Sequence, residues 1–308
     1  MKRRAILIAL VALTFVFGCT KAAPKSTGAL TGTQGLILSF LQNSPPDRIF
    51  SGTDLKMGVK LENQGGSDIT AGNIYISGFD RTIVPLDKTI DGINLGGRNI
   101  YNPVGGIEIK EFNAKISAPQ SIDKIPQTFL VTACYDYATT ASAAVCMDFN
   151  PFSTETAGGK ACTPQDVSLS GGQAAPIAIT KVGVMPAPDV TRFAIDIENL
   201  GGGLVYKKGS QFCDPYSQGL TFNEIDYVKL DSVVISQEDI TGSCQPVKDG
   251  FVKLTNKKVT IYCSKFVGGG EQVNGKSIPA FNAPLKITIS YGYRNSVSKT
   301  IEIARPPQ

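Results

Sequence analysis

Two short patterns occur twice in this 308-residue chain, and together they constrain its organisation more than any single strand does. Val59-Lys60-Leu61-Glu62-Asn63-Gln64-Gly65-Gly66 returns 136 residues later as Ile195-Asp196-Ile197-Glu198-Asn199-Leu200-Gly201-Gly202. Tyr135-Asp136-Tyr137 returns 156 residues later as Tyr291-Gly292-Tyr293, with Ser142 and Ser298, then Val145 and Ile301, at the same offset. The first pattern is an alternating strand that runs into a turn, so one β-type unit is built twice. Because the offset grows from 136 to 156, the second unit carries about 20 extra residues between its markers, in the region that holds Cys213, Cys244 and Cys263.

Charged residues make up only 18%, Gly numbers 32 and Pro 18, and no stretch shows the 3.6-residue rhythm of a long helix, which together read as an all-β chain. Strands are expected in the first unit at 36–41, 55–61, 69–77, 82–86, 107–116, 128–137 and 141–148. In the second they are expected at 178–184, 192–198, 227–236, 251–254, 259–263, 285–293 and 296–303. Seven short strands per unit fit a β-sandwich, with each unit ending in a hairpin that carries the Tyr-x-Tyr pair. The expected layout is a first domain at 35–150, a linker at 151–166, and a second domain with an insertion at 167–305. An alternating strand closing in Glu-Asn-x-Gly-Gly and followed by a β meander resembles the immunoglobulin-like modules of microbial cell surfaces, nearest to the CARDB family of adhesion-related domains. That resemblance implies two tandem immunoglobulin-like β-sandwiches serving as spacer, adhesin or assembly part. It brings no fixed functional residue with it.

At the N-terminus Lys2, Arg3 and Arg4 precede an apolar run over residues 5–17 that stops at Gly18-Cys19. Thirteen residues make ~20 Å of helix, short of a ~30 Å hydrocarbon core, so the run reads as the h-region of a lipoprotein-type export signal. Residues 1–18 are then a cleaved signal peptide, Cys19 is the lipidation site, and 19–34 form a flexible tether of small polar residues. Phe17 departs from the small residue usual two positions before such a cysteine, which keeps an uncleaved anchor and plain secretion as alternatives. Without the three basic residues of the signal, 27 basic residues face 26 acidic ones, a balance of +1 that offers nucleic acid nothing.

Removing Cys19 from the seven cysteines leaves Cys134, Cys146, Cys162, Cys213, Cys244 and Cys263, an even set that suggests three disulfides in an exported chain. Cys134 and Cys146 lie symmetrically about Thr140 in the expected hairpin, and their counterparts, Ser290 and Glu302, are both non-cysteine. That favours a Cys134–Cys146 bridge. Of the three ways to join the other four, Cys244 with Cys263 across the 251–263 hairpin is favoured, leaving Cys162 with Cys213. The chain has no histidine and no C-x-x-C pair, so zinc sites of the usual kinds and histidine-based catalytic arrangements have no ligand or base.

Gly270-Glu271-Gln272-Val273-Asn274-Gly275-Lys276-Ser277 matches the P-loop pattern by letter, but Ile278-Pro279 follows where a helix must start, so it reads as a surface loop. The runs Gly201-Gly202-Gly203 and Gly268-Gly269-Gly270 read as turns. Glu108 and Glu111, three apart on a strand, point to opposite faces and make no catalytic pair. Tyr135, Tyr137, Tyr291 and Tyr293 could offer flat surfaces to a sugar or peptide, yet packing along one sheet face accounts for them better. The resulting expectation is a non-catalytic, membrane-tethered surface protein at the outer face of the cytoplasmic membrane or the cell surface. It would use no cofactor or metal and bind a protein or cell-envelope partner. The alternative is an accessory subunit of an envelope enzyme, transporter or filament. The loop 267–276 is the first place to seek the partner.

Overall fold

Along residues 127–147 every odd position is apolar or hydrogen-bonded and buried, and no turn-forming Gly, Pro or Asn interrupts Ala138-Thr139-Thr140-Ala141. A strand with that unbroken parity has no reason to fold back. The computed structural model of the protein describes residues 30–119, 123–152, 160–266 and 279–306. Its strands in the first half are β1 (Leu36–Phe40), β2 (Arg48–Phe50), β3 (Asp54–Asn63), β4 (Ile69–Ser77), β5 (Ile90–Leu95), β6 (Ile107–Lys115) and β7 (Lys124–Met147). The second half has β8 (Val167–Ser168), β9 (Ile177–Ala187), β10 (Val190–Asn199), β11 (Leu204–Tyr206), β12 (Tyr227–Ile235), β13 (Glu238–Asp239), β14 (Phe251–Lys253), β15 (Lys258–Phe266) and β16 (Phe281–Ala304). No α-helix occurs among the described residues.

The two terminal hairpins expected from the sequence are replaced by two straight strands of 24 residues, β7 and β16, which pair antiparallel along their whole length. At ~3.3 Å per residue each spans about 80 Å. They form the middle of a nine-stranded sheet in the order β13-β12-β16-β7-β4-β5 with β2, β11 and β14 attached; of its strand pairs only β2–β16 is parallel. A three-stranded sheet β1-β3-β6 and a four-stranded sheet β15-β10-β9-β8 contribute to the same apolar core from the two halves. Leu55, Leu61 and Phe112 of one, and Phe193, Ile195 and Ile261 of the other, join Tyr135, Val145, Ile287 and Ile289 in one continuous cluster.

Because neither long strand turns, each half sends its last stretch into the other. The Thr139 hydroxyl on β7 donates to the Ile177 carbonyl at the start of β9, 2.6 Å away. Reciprocally, the Asn295 amide on β16 donates to the Leu36 carbonyl at the start of β1, also at 2.6 Å. Beyond that point β16 continues beside β2, with Glu302 bridging Arg48 and Lys124 at 3.1 Å each. The repeat therefore has the form of a strand-exchanged pair inside one chain. Asp136 is equivalent to Gly292 by the 156-residue offset and also faces it across the ladder, so a pseudo-twofold axis passes through that pair.

The extra 20 residues fall between β11 and β12, at 207–226, with their ends drawn together by Lys207 N to Glu224 O and Asp226 N to Val205 O (2.8 and 2.9 Å). Only Cys213 of the three cysteines lies in this insertion. It crosses to the first half and bonds Cys134 on β7. Cys146, near the end of β7, bonds Cys162 of the linker, and Cys244 bonds Cys263 on β15. The expected Cys134–Cys146 and Cys162–Cys213 bridges are thus corrected: twelve residues of straight strand hold Cys134 and Cys146 ~40 Å apart. The Cys244–Cys263 bridge is the one that the spacing favoured. Residues 82–86 make a turn rather than a strand, because the Asp80 carboxylate accepts from both the Thr82 amide and its hydroxyl at 2.8 and 2.7 Å. Cys19, the tether before Leu30 and the loop 267–276 lie outside the described residues.

Candidate functional site

The two repeated motifs touch each other. Asn63, at the end of β3, is fully buried; its amide donates to the Ser67 carbonyl at 2.8 Å while its oxygen accepts from Gly65 N and from the Tyr137 hydroxyl at 3.2 and 3.0 Å. Asn199, at the end of β10, does the same with Gly203, Gly201 and Tyr293 at 2.9, 3.3 and 3.3 Å. Each tyrosine hydroxyl in turn accepts from the turn it supports, Ser67 N to Tyr137 at 3.2 Å and Gly203 N to Tyr293 at 2.7 Å. The motif glycines are required by closeness: a Cβ on Gly65 would sit 1.9 Å from the Tyr137 hydroxyl, and one on Gly201 2.6 Å from that of Tyr293. Glu-Asn-x-Gly-Gly is therefore a turn built to receive a phenol.

Tyr135 and Tyr291 complete the pattern by accepting from Leu36 N and Ile177 N, the first residues of β1 and β9. The four rings form a closed circuit about the pseudo-twofold axis, with neighbouring centroids 5.7 to 6.3 Å apart. All four are buried, so none presents a face to a sugar or peptide. Burial raises the Tyr137 phenol to about 12, against the hydrogen bond from Ser67 and the nearby Arg98 charge. It raises Tyr293 to about 12 as well, and pushes Tyr135 and Tyr291 upward further.

Where the symmetry breaks, a surface cleft opens. The insertion leans over the outer face of β7 and β4, leaving a cleft of about 730 Å³ between itself and the β4–β5 edge. The Tyr206 ring covers Gly292, where a Cβ would lie 2.1 Å from it. Tyr216 donates its hydroxyl to the Ile76 carbonyl, with the Arg81 guanidinium 4.7 Å above its ring. Asn73, Asn94 and Gln211 line the cleft with the Cys134–Cys213 bridge, offering amide groups for hydrogen bonding. Its carboxylates already have structural partners. Asp136 accepts from Gly209 N at 3.2 Å, Asp214 from Tyr216 N at 2.7 Å, and Glu108 pairs with Lys110 at 2.6 Å. Lys110 also reaches Asp91 at 3.6 Å; burial works upward on that carboxyl, but the hydrogen bond from Lys88 and the two lysine charges outweigh it and hold it low.

Glu108 and Glu111 do not converge: Glu111 points to solvent opposite Gly58, one strand position past Lys110. The Gly201-Gly202-Gly203 run is the turn of the Asn199 motif, with Gly202 at φ +80°. The P-loop-like segment is outside the described residues. Among the described residues no three Cys, Asp or Glu side chains come together as a metal site. What the sequence reading missed is the partnership of the two markers, which has no local signal in the sequence.

Asn63→Ala removes four hydrogen bonds at a buried site and should lower stability by about 3 kcal/mol, read from the urea midpoint; Asn199→Ala should match it within about 1 kcal/mol. Phenols raised in the folded state stabilise fully below the unfolded value near ~10, and that contribution is lost as pH rises through about 12. Phenolate absorbance of the core tyrosines should therefore appear together with unfolding above pH ~10. No protein-family model matches the chain, and no curated protein matches it in sequence.

Proposed function

We propose that the chain is an exported, non-catalytic module of a cell envelope, tethered through Cys19 and built from two immunoglobulin-like sandwiches that complete one another by strand exchange. The observation that carries this reading is the set of three intramolecular disulfides, which fits an oxidising compartment outside the cytoplasm. The lipoprotein-type signal and the resemblance to CARDB-type surface modules support the same address. Within the cleft, every carboxylate is held by an amide or an ammonium that gives it a structural task, and amide side chains and hydroxyls make up much of the remaining polar lining. Such a lining suits recognition rather than acid–base chemistry.

The mechanism is display. A tether leads to a double module stiffened by one long sheet, which offers a cleft of amide groups to a protein or cell-envelope partner. The test is cross-linking of native envelope followed by mass spectrometry of what the chain captures. The expected result is a membrane-associated, exported chain beginning at lipid-modified Cys19, with the other six thiols unreactive, joined to a distinct envelope protein. Recovery from the cytoplasm with titratable thiols would overturn the reading, and a ladder of this chain alone would replace display with filament assembly.

A further inference from the structure

Between β5 and β6 the chain extends an arm, residues 96–106, with the sequence Gly-Gly-Arg-Asn-Ile-Tyr-Asn-Pro-Val-Gly-Gly. Its root is locked to the Asn63 turn: Asn63 N donates to Gly106 O, Gly106 N to Gly96 O and Arg98 N to Gly65 O, at 2.9, 2.8 and 2.7 Å. A Cβ on Gly105, which sits at φ +85°, would lie 2.0 Å from the Asn63 carbonyl oxygen, so the root admits no side chain there. The tip is closed by Asn99, whose side-chain oxygen accepts from the amides of Tyr101 and Asn102 at 2.9 and 2.8 Å. On this braced tip Ile100 is 75% exposed, Tyr101 89% and Val104 56%. The apolar surface continues onto β6 through Ile107 and Ile109, both about half exposed. The equivalent connection in the second half, between β14 and β15, is four residues long and its Leu254 is buried.

We propose that the arm docks on a lipid bilayer, with Ile100, Tyr101 and Val104 entering the boundary between headgroups and acyl chains. The inference rests on the export and tethering reading. What selects a membrane over another partner is the path of the chain. Arg98 donates from its guanidinium to the Thr31 carbonyl, so the arm is bound to the point from which the chain leads back to Cys19. That distance is twelve residues, at most ~40 Å when fully extended, and the tip is only three residues beyond Arg98. The apolar tip therefore lies close to the point from which the chain leads back to Cys19, and of the two equivalent connections only that of the first half carries the arm. The composition agrees: no charge occurs from Asn99 to Ile107, and a tyrosine flanked by aliphatic residues and asparagines is suited to a wet–apolar interface.

The chain contains no tryptophan, so Tyr101→Trp reports on the tip alone. Phe222→Trp, in the insertion at a side chain 73% exposed, serves as the distant control. The full chain carrying either substitution is reconstituted in phosphatidylcholine vesicles with brominated acyl chains. The expected result is a blue-shifted Tyr101→Trp emission quenched at least twofold, with Phe222→Trp emission unchanged. If both proteins float with the vesicles and both emissions stay unquenched, tethering stands and the docking proposal is overturned. A blue shift without quenching assigns the tip to contact between chains and overturns it too. Failure to float removes the tethering reading and the membrane proposal with it.

Discussion

The pairing of β7 with β16 holds this molecule together. Twenty-four residues on each strand face one another without a break, and their inward side chains build the floor on which both smaller sheets pack. A strand can run that far only if its apolar parity never slips, since a one-residue shift would turn its whole buried face to water. Neither half closes its core alone. Val145 and Met147 of the first half fill the second, while Ile301 and Ile303 of the second half fill the first.

Upon that near-symmetric frame the chain has placed its differences at two sites. Near the axis, the second half's insertion reaches across to the first and is bolted there by Cys134–Cys213, beside the Asp136–Gly292 pair. On the chain-entropy view, closing a 79-residue separation contributes ~4.5 kcal/mol, against ~3 kcal/mol for separations of 16 and 19. The largest covalent restraint thus coincides with the place where symmetry is broken and the cleft forms. The first half alone carries the apolar arm, rooted on the Asn63 turn.

Much of this was legible from residues. The repeat is visible in Asn63 and Asn199, the all-β class in composition and alternation, and the length of the insertion in the change of offset, which 207–226 matches in number. The pairing of Cys244 with Cys263 is favoured from an expected hairpin over 251–263, but β14 and β15 pair with β12 and β10, and it is the Gln245–Tyr262 bridge that sets the two cysteines side by side. Spacing failed for Cys134 and Cys146 because it presumed a turn at Thr140. Ala138-Thr139-Thr140-Ala141 has no turn former, and the odd positions stay apolar on both sides, so the residues themselves argued for continuation. Partners that come from 79 residues away, as Cys213 does, leave no local trace. Nor could periodicity reveal that Asn63 binds Tyr137, since a hydrogen bond between two motifs is a property of their meeting in space.

The exchange of strands is tested most directly by mapping the native disulfides, with peptides separated under non-reducing, thiol-blocked conditions. Continuous β7 and β16 require Cys134 joined to Cys213 and Cys146 joined to Cys162. A peptide joining Cys134 to Cys146 would mean that the strand turns back at Thr140, that each half closes on itself, and that the shared ladder does not exist.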